Sequence, residues 1–566
     1  MAFFSSQLLE VAKKFKFKLI TLLSLVLLQT TLNIIAVVSL APIIELFLKK
    51  KEEEFNYITK TVKKIFLEFN LDFQLLHSFI LFGSLILITS LIGLWVTHLS
   101  LKIKYDIVSK IKIGMMDLFL KSDYSFFNLK KIGKFINTFE LEVNKVCTAL
   151  DELIKFIAAL IQIVLLLLVP LFFSVKFTII FFICICAVVS PMIFFKNYIY
   201  RLGKEDTISA NEMNNSLYQI LSSVKLIYSY GMNNSAKTSY ALSAQRHIDV
   251  TILRQFFTIG TYVLFSSLII ISLMIPSYFV FKTGYPLSEL AVILFSFQRM
   301  APHISNAVRS RVVISSSKPA FEQIQNFEKE AKNTSSIDGN EIFKEFKNKI
   351  DFVNLSFNYP GKTNLFDKIN LSFKKNTITG LVGPSGSGKT TIVDLLTGML
   401  KPIDGEILVD GKNINSFKIS TLRSRIGYIP QDPMLFNISI KENLLWANNS
   451  ASEDEIWRAL NFVEIDDFIR SLPEKLDTIV GDRGQALSGG QRQRIAFARA
   501  IIRKPHILIM DEATASIDQQ TQELIENKVL ELSKNTTVIL ISHSSNLIKK
   551  INKIYRIDNG IIKEGN

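Results

Sequence analysis

The sequence predicts a chain of two parts: an all-α domain of six membrane-spanning helices, then an α/β domain with a phosphate-binding loop. Hydrophobic residues make up 49% of the 566 residues, which is high for a water-soluble protein. Long apolar stretches occur only in roughly the first 310 residues, and short β-rich runs alternate with helical segments from about residue 341. A glycine-rich run, GPSGSGKTT, lies between a predicted strand and a predicted helix.

Six apolar stretches in the first part are each long enough to cross a hydrocarbon core of about 30 Å as a helix. They cover residues 18–48, 74–99, 153–173, 177–199, 256–281 and 286–308. The first exceeds one crossing, so we expect it to be tilted or to extend past the bilayer. No small-residue cleavage site follows it, which favours a retained membrane helix over a signal peptide. The long segments after the second and fourth spans keep apolar periodicity, so we expect helices that continue beyond the bilayer.

Basic residues set the predicted orientation of these spans. The two long segments between spans are rich in lysine and arginine, whereas the opposite turns are very short. Because basic loops stay in the cytoplasm, both long segments and both chain ends are predicted to be cytoplasmic. The loop at 49–70 departs from the rule, with six lysines on the outer side. We expect a multi-pass protein of a bacterial inner membrane, with a membrane domain at 1–312, a polar linker at 313–340 and a cytoplasmic α/β domain at 341–566.

The glycine-rich run predicts a nucleotide site that uses ATP and Mg²⁺. Glycines let backbone N–H groups wrap phosphates, Lys389 can reach the β- and γ-phosphates, and the Thr390 hydroxyl can bind Mg²⁺. The expected nucleotide-binding residues of this run are Gly383, Ser385, Gly386, Gly388, Lys389, Thr390 and Thr391.

The run HILIMDE at 506–512 adds two carboxylates at the end of a buried strand. Asp511 is placed to hold Mg²⁺, and Glu512 is placed to orient or polarise the attacking water. The alternative for Glu512 is a capping acid at a strand end. His543 follows the strand TTVILIS and is predicted to lie at the same sheet edge, where a lone histidine usually has a structural role.

The net charge and the cysteine content limit the classes of molecule and metal that this chain is expected to bind. A formal net charge of +15 is compatible with nucleic acid or with anionic lipid. The six spans favour membrane lipid and argue against a soluble DNA-repair or chromosome-organising ATPase, so we expect no nucleic-acid partner. Cys147, Cys184 and Cys186 lack metal-ligand spacing with histidine and are interpreted as structural.

Five further motifs, FNYPG, YIPQDPMLF, LSGGQ, DEATASID and ISH, complete the second part. Together with the phosphate loop and the spans, they resemble an ABC exporter half-transporter, in which a six-span membrane domain precedes a P-loop ATPase domain. The resemblance covers the whole chain and is strongest over 352–564, and LSGGQ matches the family's signature motif without change. The run TIVGDRG departs from the family pattern at Ile479 and Asp482, which bears on contacts between domains but not on ATP binding.

The resemblance implies a role for each motif residue. Gln431 is expected to contact Mg²⁺ and water and to sense the membrane domain, and His543 is expected to contact the γ-phosphate. Tyr359 is expected to stack on adenine, although a lone tyrosine at a strand end often serves packing. The signature residues and the D-loop aspartate are expected to act across a dimer, closing over the γ-phosphate that the partner's phosphate loop holds: Ser488, Gly490, Gln491 and Asp518.

Because no catalytic position is degenerate, the sequence favours a homodimer with two working sites; a heterodimer with a degenerate half-transporter is the alternative. By resemblance, ATP binding closes the nucleotide domains and turns the cavity outward, and hydrolysis resets it. An importer is disfavoured because its membrane and ATPase parts usually lie on separate chains. A non-transporting channel or regulator of the same fold stays open.

Polar residues inside the spans are the candidates for the cargo site. Arg299, His303 and Asn306 share one face of the sixth span at i, i+4 and i+7, and Gln29 and Asn33 form an i, i+4 pair in the first. They predict a cavity for an anionic or amphipathic substrate, a phospholipid or a lipid-linked glycan, and hence a flippase. Helix–helix hydrogen bonding, or an arginine that reaches the interface, is the competing interpretation. Peptides and hydrophobic drugs are the alternative cargo.

Overall fold

A computed structural model describes residues 16–123, 126, 132–282, 284–333, 339–359, 364–514, 517–541, 551, 553–558 and 560–565. The chain divides into two compact units. The first contains the described residues up to Ser122 and from Ile132 to Asn333. The second contains Asp123, Phe126 and the described residues from Gly339 onward.

The described part of the first unit is helical. Its α-helices are α1 (Lys16–Val38), α2 (Leu40–Phe47), α3 (Tyr57–Glu68), α4 (Leu75–Lys121), α5 (Ile132–Asn137), α6 (Val143–Phe173), α7 (Val175–Val189), α8 (Lys196–Ser222), α9 (Val224–Ser229), α10 (Asn233–Lys282), α11 (Leu287–Ser316) and α12 (Lys318–Asn333). Short 3₁₀ turns occur at Glu52–Glu54 and Ser190–Ile193, and a π-helical turn at Thr138–Glu142 joins α5 to α6.

Among the described residues, five helical segments are long and apolar enough to cross a membrane. They are Lys16–Phe47, Leu75–Lys121, Ile132–Phe173, Val175–Met192 and Asn233–Lys282. The sixth predicted span, 286–308, is also helical as part of α11, but polar side chains lower its hydropathy and it is not among the five. The 47 residues of α4 measure about 70 Å at 1.5 Å per residue, so this helix continues well beyond a bilayer, as expected.

Two segments predicted as connections contain helices. In the loop 49–70, which was predicted to be on the outer side, α3 begins after Asn56, whose side chain accepts a hydrogen bond from the Thr59 N–H at 2.8 Å. In the predicted linker 313–340, α12 belongs to the first unit. Apolar residues recur at helical spacing in α12, where Ala320, Ile324, Phe327 and Ala331 are buried, so this polar segment still has one core-facing side.

Two sheets form the framework of the second unit. The strands are β1 (Lys349–Phe357), β2 (Phe366–Lys374), β3 (Ile378–Val382), β4 (Asp404–Val409), β5 (Lys412–Asn413), β6 (Ile426–Ile429), β7 (Ile507–Asp511), β8 (Thr537–Ile541), β9 (Lys553–Asp558) and β10 (Ile561–Gly565). One sheet has the order β2-β1-β4-β5 and is antiparallel. The other has the order β10-β9-β3-β8-β7-β6 and is parallel except for β10 against β9.

Helices cover the parallel sheet, and every residue of β7 and β8 is buried, as continuous apolar strands in such a sheet should be. The helices are α13 (Lys389–Leu396), α14 (Ile419–Arg423), α15 (Ile440–Leu445), α16 (Glu453–Phe462), α17 (Asp466–Ser471), α18 (Gly489–Ile501) and α19 (Gln519–Leu532). The predicted order, an all-α membrane domain followed by an α/β domain, is confirmed. Ligands of such sheets bind at the carboxyl ends of the strands. The motif residues lie at the carboxyl ends of β3, β6 and β7.

Candidate functional site: a phosphate loop beside two carboxylates

The phosphate loop connects β3 to α13. Gly386 and Gly388 have φ angles of 79° and 103°, which residues with a Cβ atom rarely adopt. Gly383 is required for a different reason: a Cβ atom there would lie 2.1 Å from the carbonyl oxygen of Ile557. The glycines of the predicted motif thus let the backbone turn tightly at the end of β3.

Two side chains of the loop fit a phosphate ligand. Lys389 is buried, and its ammonium group donates to the carbonyl oxygens of Gly383 and Pro384, both at 2.9 Å. Burial lowers the pKa of Lys389, while the charges of Glu512 and Asp511 oppose that shift. The Ser387 hydroxyl is buried and has no hydrogen-bond partner among the described residues, so a ligand oxygen beside it would satisfy an otherwise costly group.

The predicted magnesium ligands Thr390 and Asp511 lie together. The Thr390 hydroxyl donates to a carboxylate oxygen of Asp511 at 3.2 Å. Burial raises the pKa of Asp511, and the hydrogen bond from Thr390 counteracts it. No group of three or more His, Cys, Asp or Glu side chains that could hold a metal ion occurs among the residues described. The Thr390 hydroxyl and the Asp511 carboxylate are oxygen donors, and together with oxygens of Gln431 and the nucleotide they would form a donor set that suits Mg²⁺.

Glu512 and Gln431 meet directly. The Gln431 side-chain amide donates to the Glu512 carboxylate at 2.7 Å. Glu512 has a φ of 49°, and its N–H donates to the carbonyl oxygen of Ile541 at the end of β8, at 3.0 Å. The structure places this carboxylate beside the side chain of the predicted Q-loop glutamine.

The signature motif forms the start of α18. The Ser488 hydroxyl accepts from the Gln491 N–H at 3.3 Å, and the Gln491 side-chain oxygen accepts from the Ser488 N–H at 2.8 Å. This reciprocal capping box explains why serine and glutamine occur three residues apart. Gly489 and Gly490 lie between them in the first turn of the helix, where backbone N–H groups and the helix dipole favour an anion.

Four further residues were predicted to belong to the site, and the structure describes three of them. Tyr359 is half-buried, packs edge-on against Phe357, and shares a 3.0 Å hydrogen bond with Thr391, which ties it to the phosphate-loop helix. Ser385 lies within the loop, and Asp518 caps α19 by accepting from the Thr521 N–H at 2.9 Å. That hydrogen bond lowers the pKa of Asp518. The predicted switch residue His543 lies outside the described residues.

Asp394, in α13, was missed by the motif search and predicts a pH effect. Burial, helped by the charge of Asp511, raises the pKa of Asp394 to about 6. The folded protein therefore holds this proton more tightly than the unfolded chain does, so the contribution of Asp394 to stability falls as pH rises from about 4 to about 6. We expect Asp394→Asn to raise the melting temperature of the nucleotide-free protein at pH 8, by relieving a penalty of about 2 kcal/mol.

The control for this prediction is the pH series itself. At about pH 3, where the carboxyl group is largely protonated in both the folded and the unfolded state, Asp394→Asn and the unaltered protein should melt at nearly the same temperature. An equal gain at pH 3 and pH 8 would show that the effect is not electrostatic.

In the first unit, polar side chains of the predicted cargo site converge on one cavity of about 530 Å³. Its lining comprises Gln29, Asn33, Thr89, Ser90, Leu166, Phe295, Gln298, Arg299, Pro302 and His303. The guanidinium of Arg299 lies 5.0 Å from the centre of the Phe295 ring, and the Gln29 side chain donates to the Thr89 carbonyl oxygen at 3.2 Å. Asn306 does not line the cavity. Thr89, Ser90 and Gln298 were missed by the sequence search.

Comparison with known proteins places both halves in one family. The model of the ABC transporter transmembrane region matches residues 19–302, and the model described as ABC transporter matches residues 366–515. The heterocyst differentiation ATP-binding protein HepA of Nostoc sp. is 36% identical over 299 residues, which cover 53% of this chain and 49% of HepA. ABC transporter B family member 18 of Arabidopsis thaliana is 30% identical over 402 residues, which cover 69% of this chain and 32% of the relative.

The matched regions thus span about half the length of HepA and a third of the plant protein. Among solved structures, a bacterial Atm1-family ABC exporter with ATP bound superposes with a TM-score of 0.83 over 97% of this chain and 95% of that one, at 20% identity. This likeness concerns the fold. Because the transmembrane-region model covers half of the chain and the second match follows it, this protein belongs to the ABC transporter family and has the fold of its exporters.

Proposed function

We propose that this chain hydrolyses ATP and uses the reaction to export an amphipathic substrate across the membrane by alternating access. The ATPase proposal is supported by two side-chain hydrogen bonds, each of which joins two motif residues. Thr390 meets Asp511, and Gln431 meets Glu512, the residue after Asp511. In this proposal Lys389 and the loop backbone bind the phosphates, and Gln431 and Glu512 hold the attacking water, with Glu512 accepting its proton.

Mg²⁺ belongs to the same proposal. Thr390 and Asp511 would hold the ion with Gln431, and the ion would neutralise negative charge on the phosphates. His543 would donate to the γ-phosphate, and Tyr359 would stack on adenine.

The proposed assembly is a homodimer. The first turn of α18 has the dipole end and the glycine N–H groups that favour an anion, and the chain has its own phosphate loop at the start of α13. Two copies related by a two-fold axis would pair each phosphate loop with the partner's signature turn, with Asp518 at the dimer contact. The proposed location is the bacterial inner membrane, with the nucleotide-binding domain in the cytoplasm.

The cavity supports an anionic lipid, a phospholipid or a lipid-linked glycan, as the substrate. Among the described residues that line it, Arg299 is the one lysine or arginine, and none is an aspartate or glutamate. An arginine can bind a phosphate group by two parallel hydrogen bonds. The amides of Gln29, Asn33 and Gln298 add donors and acceptors for a hydroxylated headgroup, while Leu166 and Phe295 provide apolar wall for an acyl chain.

We expect Arg299→Ala to abolish the stimulation of ATPase activity by anionic phospholipid in proteoliposomes while basal ATPase activity changes by less than about two-fold. The physical reason is loss of the cationic group in the cavity. The measurement compares vesicles of zwitterionic lipid with vesicles that contain an anionic lipid.

Asn306→Ala is the matched control, because Asn306 lies on the same helix but does not line the cavity. It should keep full stimulation. Stimulation of the Arg299→Ala protein at the level of the unaltered protein would rule out the anionic-lipid proposal, and stimulation by a hydrophobic drug or peptide instead would favour the alternative cargo.

A further inference from the structure

Gln493 is a buried polar side chain that the proposed roles leave without a function. It lies in α18, two residues beyond the signature glutamine Gln491, and is only 1% exposed. Its side-chain amide donates to the main-chain carbonyl oxygen of Glu512 at 3.1 Å. The helix that begins with the signature serine therefore contacts the backbone of the proposed catalytic carboxylate of the same chain.

The Glu512 backbone needs such support. A non-glycine residue with a φ of 49° occupies a sparsely populated conformation, which persists only where the surroundings hold it. The residue is held on both sides of its Cα atom, by the hydrogen bond from its N–H to Ile541 and by the hydrogen bond that its carbonyl oxygen accepts from Gln493. Loss of the second bond would let the peptide after Glu512 rotate and would move the carboxylate away from Gln431.

We propose that Gln493 is a positioning residue that fixes Glu512 for water activation and couples the signature turn to it. The inference rests on the proposed function, in which Glu512 serves the ATP of its own phosphate loop and Ser488 contacts the ATP held by the partner chain. Ser488 caps α18 and Gln493 lies within it, five residues further on, which is about 7.5 Å along the helix axis. When Ser488 contacts the ATP held by the partner chain, α18 and Gln493 therefore act on Glu512, the carboxylate that serves the ATP of its own chain.

The test is Gln493→Met in the full-length protein, since methionine has a similar length and no hydrogen-bond donor. We expect the kcat of ATP hydrolysis to fall about 10-fold or more, the KM for ATP to stay within about two-fold, and the cooperativity of hydrolysis with ATP concentration to decrease. Gln493→His, which keeps a side-chain N–H, should retain more of the kcat. Gln522→Met is the control, because Gln522 is a part-buried α19 glutamine that donates to Glu526 instead; it should hydrolyse ATP normally.

A double-mutant comparison separates positioning from a general structural effect. In the Glu512→Gln background, adding Gln493→Met should lower the residual single-turnover rate by less than about two-fold, because the two residues act through one step. The inference is wrong if Gln493→Met lowers the hydrolysis rate by the same factor in the Glu512→Gln protein as in the otherwise unaltered protein. It is also wrong if Gln493→Met alone has a normal kcat. Normal hydrolysis by Glu512→Gln alone would instead contradict the proposed function.

Discussion

Replacement of Glu512 by glutamine is expected to lower the kcat of ATP hydrolysis by more than about 100-fold while ATP binding is kept. Glutamine has the same shape and can still accept the hydrogen bond from Gln431, but it cannot accept a proton from water. The phosphate contacts proposed for Lys389 and the magnesium contact proposed for Thr390 are unaffected by the change. Steady-state ATPase activity and the dissociation constant of a fluorescent ATP analogue are the two measurements.

The matched control is Glu526→Gln, which makes the same change at a buried glutamate of α19 that bonds to Gln522. This variant should hydrolyse ATP at close to the normal rate. If Glu512→Gln hydrolyses ATP as fast as the unaltered protein, the assignment of Glu512 as the proton acceptor is wrong.

Arginine in place of Ser488 is expected to have a similarly large effect, with hydrolysis reduced to background and ATP binding to the phosphate loop largely intact. The long cationic side chain would fill the turn in which a γ-phosphate from the partner chain is expected to dock. The substitution also removes the helix cap, which by itself costs about 1 kcal/mol.

Ser488→Ala separates these two effects, because it removes the same cap without filling the turn. We expect Ser488→Ala to retain measurable hydrolysis and Ser488→Arg to retain none. Loss of ATP binding in Ser488→Arg would count against a signature turn that is separate from the chain's own nucleotide pocket.

The nucleotide site was predictable because its motifs are local. Each motif occupies fewer than ten consecutive residues: the spaced glycines, and the buried strand with the two acids at its end. The strand–loop–helix order brings these short segments together. The structure joins Thr390 to Asp511 and Gln431 to Glu512 by hydrogen bonds, and the charges of Glu512 and Asp511 act on Lys389.

The features that sequence reasoning missed depend on contacts between distant segments. The left-handed backbone of Glu512 and its hydrogen bond from Gln493 depend on a contact between α18 and the residue that follows β7, which no local pattern encodes. The helix α12 was predicted as linker because its exposed side is strongly polar.

Helical spacing alone also overextended the predicted cargo site. Arg299 and Asn306 share a helix face, yet they are about 10 Å apart along the axis, so Asn306 lies beyond the end of the cavity. The only sequence signal that α1 shares a cavity with α11 was the pair of polar residues Gln29 and Asn33 in α1. The depth of that cavity was not predictable.

Complementation between two inactive variants tests the central claim, that each ATP site is shared by two chains. Lys389→Ala removes the phosphate-loop lysine, and Ser488→Arg blocks the signature turn, so each homodimer should be inactive. In a mixed dimer purified through two different tags, one site would combine both defects, and the other would be intact. We predict about half of the normal ATPase activity for this mixed dimer, because a two-fold dimer has two equivalent sites. Background activity in the mixed dimer would contradict the account, because it would mean that each chain needs its own signature turn.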